Sequence, residues 1–369
     1  MNYRLQRWED IVFFLIVLDF ILFMIFLIAS LFFSEKNKRY TAIGMLGLLT
    51  FLSAFRYGFG ADYFSYEQLY YYDYTWKEPL FNLIVFILKS IGFSSQMMFL
   101  IYSCLTGLCF WKAITSYFTK GQQILLCIMI YAVNDTLWVY AVNGMRQGLS
   151  VVLILWAVSY LLKNQYKQFV FLWIVAVLGH YAALVALIML ICNKIHIRKL
   201  IHIILMIISF FLGKFINLGD ILVPILYYFN DMVGIGGQYI PYLTVLAQVS
   251  IIREGGTGLG ILFTFLLSII IVIFLERKIK LNNFICNMIT LAISIKSLFW
   301  FSEAFLRLRH FFEIFLVIGL VLCLEKFNRK ARLFLSVCFI FLYVMMELNY
   351  AATNDETLLN YMMNFNLLE

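Results

Sequence analysis

The sequence predicts an all-α polytopic membrane protein with about twelve transmembrane helices, and three observations carry that prediction. Of 369 residues, 64% are apolar and 13% charged, whereas soluble domains run near half apolar and a quarter charged. A chain of that balance cannot fold in water. The apolar residues form long runs of Leu, Ile, Phe and Val interrupted by only three prolines, without the two-residue alternation of an outer-membrane barrel. Short basic clusters recur between the runs, which is the pattern of cytoplasmic loops.

Taken in order, the first run, Ile11 to Phe33, is followed by charge and not by a small-residue cleavage site, so it reads as a retained helix. Basic loops then recur at Lys36, Lys38 and Arg39; Lys112 and Lys120; Lys163 and Lys167; Lys194, Arg198 and Lys199; Arg277, Lys278 and Lys280; and Lys326 to Arg332. Placing all six inside requires an even number of crossings between neighbours. The polar segments 57–95, 141–147, about 180, 216–258 and 303–310 fall outside, and both termini with them. The spans lie near 11–33, 41–55, 96–113, 122–141, 147–162, 168–179, 181–193, 200–215, 259–275, 284–302, 311–325 and 332–348. Pro79 to Gly92 is too short for the roughly 20 residues of a full span and reads as a helix along the outer surface. Residues 168–193 read as two short helices meeting at Gly179-His180. A single membrane domain, 1–369, is expected, with a first outer loop at 57–95 and a long one at 216–258. The seven cysteines sit in apolar segments without metal-ligand spacing, so neither a disulfide framework nor a metal site is expected, and no cofactor.

Sorting the basic residues by side points to function. Of 28, the inner loops hold 17, of which 12 are Lys; the remaining 11 include seven Arg. Five of those arginines, Arg56, Arg146, Arg253, Arg307 and Arg309, stand at or near outer helix ends. Topology requires only positive charge, whereas a guanidinium fork suits bidentate phosphate or carboxylate. An outer anion site is the sharper reading; pairing with local acids such as Glu254 and Glu303 is the plain one. Arg56 opens Arg-Tyr-Gly-Phe-Gly-Ala-Asp62, whose glycines permit close backbone approach, and Asp62 and Glu78 bring carboxylates to the same face. Tyr63, Tyr66, Tyr70 to Tyr72 and Trp76 serve either as interface anchors or as stacking surfaces for sugars. Asn143, Arg146 and Gln147 are spaced to share one helical face at the start of a span, where unpaired N–H groups favour an anion. His180, alone between two apolar runs, is the general base best suited to neutral pH. The loop 216–258 ends in Arg253-Glu254-Gly-Gly and suits a mobile cover. Lys296, Glu303, Arg307 and His310 share one face, and Lys296 requires a partner such as Glu303 or Glu313.

In order along the chain, Arg56-x-Gly-x-Gly-x-Asp-Tyr-x-x-Tyr, Glu78-Pro-Leu-Phe-Asn, Asn143-Gly-Met-Arg-Gln-Gly, Gly-His180-Tyr-Ala-Ala-Leu and Arg307-x-Arg-His-Phe-Phe resemble the EpsG branch of Wzy-type polysaccharide polymerases. The resemblance implies a bacterial inner-membrane enzyme of C-type glycosyltransferase architecture with a periplasmic juxtamembrane helix. It would join oligosaccharide repeats carried on undecaprenyl diphosphate at the periplasmic face, making O-antigen, capsule or exopolysaccharide. The implied partners are lipid-linked glycan donor and acceptor, membrane lipid and a chain-length regulator protein, with no nucleic acid. The expected roles are diphosphate binding by Arg56, Arg146, Arg253, Arg307 and Arg309, orientation by Asn143 and Gln147, and proton transfer by His180, with Asp62, Glu78 and Glu254 as rivals. An O-antigen ligase, which hands the chain to lipid A core, and a lipid-linked oligosaccharide flippase are the alternatives.

Overall fold

The computed structural model describes residues 2–72, 78–134, 137–216, 259–276, 278–299, 303–353 and 362–367. Its first half runs α1 (Asn2–Phe32), α2 (Glu35–Ala54), β1 (Arg56–Tyr57), α3 (Tyr63–Tyr71), α4 (Pro79–Ile91), α5 (Ser95–Tyr117), α6 (Gly121–Ala132), α7 (Trp138–Asn143), α8 (Met145–Leu162) and α9 (Tyr166–Gly179). A 3-10 helix (Tyr181–Leu187) leads to α10 (Ile188–Cys192), α11 (Lys199–Phe215), α12 (Leu259–Phe274), α13 (Lys280–Leu298), α14 (Glu303–Glu313), α15 (Phe315–Leu324), α16 (Arg329–Thr353) and β2 (Met362–Met363). The protein is an all-α membrane protein. Five described helices are long and apolar enough to cross a bilayer unaided, around Phe13–Phe32, Ser95–Tyr117, Met145–Leu162, Lys280–Leu298 and Arg329–Asn349.

The chain divides into two compact units, Met1–Leu187 with Leu320–Glu369, and Ile188–Gly319. In the first, α8 is the core helix: its residues are buried almost throughout, and its main neighbours are α5 and α9. Such a helix reads as uniformly apolar because it has no lipid-facing or water-facing stripe. α1, by contrast, turns Phe13, Phe20 and Phe32 outward, as a helix bordered by lipid does.

The two ends of this unit differ in charge. At one end Glu35 accepts the Gln122 N–H at 3.0 Å, Lys120 lies 3.4 Å from Glu325, Arg332 also pairs with Glu325, and Arg329 donates to the Leu31 carbonyl at 3.2 Å. The basic clusters near 36, 120 and 329 therefore meet. At the other end the segments 57–72, 78–95, 141–147 and His180 converge, joined by β2. These are three of the five segments that the charge pattern groups; 217–258 lies outside the described residues and 303–310 belongs to the second unit.

Several boundaries differ from the sequence expectation. Lys36, Lys38 and Arg39 belong to the first turns of α2, whose N-cap Ser34 accepts the Asn37 N–H, so that basic loop is a helix start. The expected span 122–141 is broken after Ala132. The sequence Asn-Asp-Thr at 134–136 is polar, with residue types that favour turns, and Leu137 N–H closes onto the Asn134 carbonyl at 2.9 Å before α7 begins. The segment expected as a helix over 181–193 opens as a 3-10 turn. Pro79–Ile91 is a helix, as expected, with Pro at its start and Gly92 closing it in the left-handed region.

The second unit is built on α13, packed by α11, α12 and α14. Buried asparagines fix one end: Asn283 and Asn287 donate to the carbonyls of Ile195 and Cys192. His202, fully buried, meets Thr290 Oγ1 at 2.8 Å, so it is a packed residue and not the solvated one its basic surroundings imply. Near the far end, Glu313 gathers Lys296 at 3.7 Å, Arg309 at 3.0 Å and His310 at 3.8 Å.

Candidate functional site

The site of the first unit forms around Glu78. This residue is the N-cap of α4, in extended conformation ahead of Pro79, and its side chain makes no capping bond. A glutamate is a poor cap, and here the carboxylate turns to two other partners. Its Oε2 accepts from Arg146 Nη1 at 2.7 Å and its Oε1 lies 3.0 Å from His180 Nδ1. Arg146 enters from the first turn of α8 and His180 from the residue that ends α9. Three separate stretches of chain thus meet at one carboxylate.

Each member is held in place. Arg146 is 8% exposed, with its guanidinium over the rings of Tyr66 at 5.3 Å and Phe81 at 5.4 Å, contacts that favour a cation. Its Nε–H points to the Tyr66 hydroxyl at 3.4 Å. The His180 backbone is extended, which ends α9 and sends the ring toward Glu78. Burial pushes the Glu78 carboxyl up, but the hydrogen bond to His180 and the charge of Arg146 outweigh it, so it titrates below its ordinary range. It is a carboxylate at neutral pH. A carboxylate only accepts, so Nδ1 of His180 carries a proton, and Nε2 is an acceptor whenever the ring holds that proton alone. Burial pushes the Tyr66 phenol up against the pull of Arg146, so it remains a neutral hydroxyl.

The loop Arg56 to Asp62 docks onto the α7–α8 corner. The Asp62 N–H donates to Asn143 Oδ1 at 3.0 Å, and Gly60, at φ +98°, passes so close that a Cβ there would sit 3.1 Å from that oxygen. Asn143 is the last residue of α7, and Gly144, not Asn143, caps α8. Gln147 accepts from the Tyr140 hydroxyl at 2.6 Å. Asn143 and Gln147 therefore use their carbonyls inside the protein. Arg56 is 1% exposed, donates to the Ser53 carbonyl at 2.6 Å and lies over Phe99 at 4.6 Å. With Ser53, Tyr102, Trp138 and Met145 it lines a narrow cavity. Arg56 and Asp62 both lie within electrostatic reach of Tyr66.

Of the remaining expected residues, Arg307 is exposed on α14 and Arg309 is paired with Glu313, both in the second unit. Lys296 finds Glu313, one of the two partners its sequence position suggests. Arg253 and Glu254, with the cover expected over 216–258, and Trp76 fall outside the described residues except for the segment's first residue. Among the tyrosines, Tyr63, Tyr66 and Tyr70 are buried and Tyr71 and Tyr72 exposed, so the first three pack or position. Gln96 was not legible as part of this region. Its amide donates to the Ala54 carbonyl at 2.6 Å and its carbonyl faces the Tyr63 hydroxyl at 3.4 Å; nothing in Ser-Gln-Met at a helix start announces this. Among the described residues no three His, Cys, Asp or Glu come together in a metal-ligating group.

A family model described as the EpsG family matches residues 39–363. The chain belongs to the EpsG family. The matched stretch contains Glu78, Arg146 and His180 and both arginines of α14. No curated protein and no solved structure matches the chain. EpsG membership supports an enzyme of polysaccharide polymerisation embedded in a membrane.

Proposed function

We propose that this EpsG-family protein is a glycosyltransferase that polymerises undecaprenyl-diphosphate-linked oligosaccharide repeats at the periplasmic face of a bacterial inner membrane. The observation that carries the reading is the Glu78 carboxylate bridging Arg146 and His180, which sets a base and an anion-binding cation side by side at the end of the unit opposite its basic loops. The acceptor is the hydroxyl at the non-reducing end of one lipid-linked repeat, and the donor is a chain on a second carrier. The hydroxyl oxygen bonds to the donor's anomeric carbon as the bond from that carbon to the diphosphate oxygen breaks. Undecaprenyl diphosphate leaves with the electron pair, and the hydroxyl proton passes to His180 Nε2. Positive charge develops on the sugar and negative charge on the departing oxygen. Arg146, fixed by two aromatic rings, is preorganised to meet that negative charge. Glu78 holds the His180 tautomer and stabilises the imidazolium formed. A chain-length regulator sets product size.

The decisive experiment is incubation of purified protein with a synthetic undecaprenyl-diphosphate-linked repeat. A ladder of products with one-repeat spacing is the expected result. Unchanged substrate, or a single transfer only when lipid A core is supplied, overturns the reading.

A further inference from the structure

We infer that the C-terminal segment Met362–Leu367 is a positioning strap for the candidate site, holding the loop from Arg56 to Asp62 in the arrangement its chemistry requires. The inference rests on the assignment of that loop to the site. The segment lies about 300 residues along the chain from the loop, yet every described part of it is spent on that region. Arg56 pairs with Met363 and Tyr57 with Met362 in a two-stranded antiparallel ribbon. Asn364 N–H donates to the Phe55 carbonyl at 2.8 Å. Its side chain reaches the neighbourhood of the Tyr63 hydroxyl, on the residue that starts α3. Ser94, at the start of α5, donates its N–H to the Leu367 carbonyl at 3.1 Å and its hydroxyl to the Asn366 carbonyl. The Phe365 ring lies 4.9 Å from that of Phe55 and 6.3 Å from that of Phe51.

The physical case is one of edges and turns. Arg56 and Tyr57 form an edge whose N–H and C=O groups need partners, and β2 supplies them. A two-stranded ribbon is marginal alone, so its stability comes from what flanks it, here the Gln96 amide on the Arg56 carbonyl and the Phe365–Phe55 ring contact. Beyond Tyr57 the loop carries Gly58 and Gly60 at positive φ, the most pliable backbone in the region. Its far end is tied by Asn143; its near end is tied by the strap. Release of one tie lets Asp62 and the start of α3 shift, and α3 carries Tyr66, the ring beneath Arg146. The strap thereby acts through the loop and not on substrate. Met362, Met363 and Phe365 turn apolar side chains outward, each about half exposed, as suits a strap lying along the membrane interface.

The test uses two full-length variants, Asn364→Pro, which removes the N–H donated to Phe55, and Phe365→Ala, with Phe365→Tyr as the conservative control. Hydrogen exchange in detergent reads the loop directly. The expected result is exchange at residues 56–62 faster by at least about tenfold, the equivalent of one to two net hydrogen bonds, with α8 unchanged. Chain extension should fall in parallel and recover in Phe365→Tyr. Unaltered exchange at 56–62 in both variants overturns the strap, whatever the activity. Faster exchange with undiminished chain extension also overturns its positioning role. If the wild-type protein extends no chain, the functional reading fails while the exchange result still decides whether the strap holds the loop. Should Asn364→Pro lose the bundle itself, exchange at 56–62 in full-length Phe365→Ala decides the inference in the same way, unaltered exchange overturning it.

Discussion

Replacing Glu78 by Gln strikes the site at its centre. The two carboxylate oxygens serve two partners, Arg146 at 2.7 Å and His180 at 3.0 Å. Glutamine keeps the shape but offers one acceptor oxygen, so one contact is lost and the other loses its charge assistance. The Glu78 side chain is 7% exposed, which leaves little solvent to compensate. A hydrogen bond to a charged group contributes about 1.5–3 kcal/mol, and about 1.4 kcal/mol is tenfold in rate, so Glu78→Gln should slow chain extension about 10- to 100-fold. His180→Ala, removing the base, should cost about 100- to 10,000-fold. The double variant separates a unit from two bystanders. With His180 gone, Glu78 has only Arg146 left to hold, so the combined loss should fall short of the sum of the single losses by about 1 kcal/mol or more. The assay is a single-turnover rate with the synthetic lipid-linked repeat, alongside a thermal melt to confirm that each variant is folded. Wild-type rates in Glu78→Gln, or strictly additive losses in the double variant, refute the assignment.

Three further outcomes follow. Tyr66→Phe keeps the ring beneath Arg146 but removes the hydroxyl at 3.4 Å, so activity should fall only about two- to tenfold; Tyr66→Ala should fall further by the roughly 0.5–2 kcal/mol of the cation–π contact, and equal rates in the two would sink this role. The Glu78 carboxyl titrates below its ordinary 4.5, so its contribution to stability is complete above that value and disappears as pH falls through the lower folded value. Melting temperature plotted against pH should therefore drop more steeply on the acid side in wild type than in Glu78→Gln, and parallel curves would refute it. In the second unit, a Cβ on Gly213 would lie 1.8 Å from the Ser297 carbonyl oxygen, so Gly213→Ala must push α11 from α13; a loss of about 1–3 kcal/mol is expected in a detergent melt, and none would contradict that packing.

Fold class was legible because it rests on composition and on apolar runs, which need no knowledge of partners. The meeting of the basic clusters was legible for the same reason: those at 36, 120 and 329 are local features, and the structure brings them together. The break at Gly179-His180 was readable from a polar residue between two short runs. Other boundaries depended on contacts that no local pattern records. The turn after Ala132 competes with a long apolar run, and Trp138 resumes the helix where its Nε1–H reaches Ser53 Oγ at 3.1 Å. The strap was invisible, since Met-Met-Asn-Phe-Asn has neither a strand's alternation nor a partner nearby in sequence, and its order comes from residues some 300 positions away.

The side chains that meet at Glu78 each stood out in the sequence, but their pairing did not. A buried arginine needs a counter-charge, and the described residues of 57–95 offer three carboxylates, Asp62, Glu67 and Glu78. Backbone conformation distinguishes them. Asp62 has helical angles, φ −86° and ψ −3°, and opens α3 with its N–H docked on Asn143. Glu67 lies within α3 and meets the Ser95 hydroxyl at the outer margin of hydrogen-bonding range. Glu78 is extended, at φ −81° and ψ 119°, because the residue before a proline is pushed out of the helical region. That extension directs its carboxylate away from α4 and into the space between α8 and α9. Glu78 and His180, read from sequence as rivals for the base, are therefore hydrogen-bonded partners, and in the proposed mechanism the carboxylate holds the proton on Nδ1 and leaves Nε2 to take another.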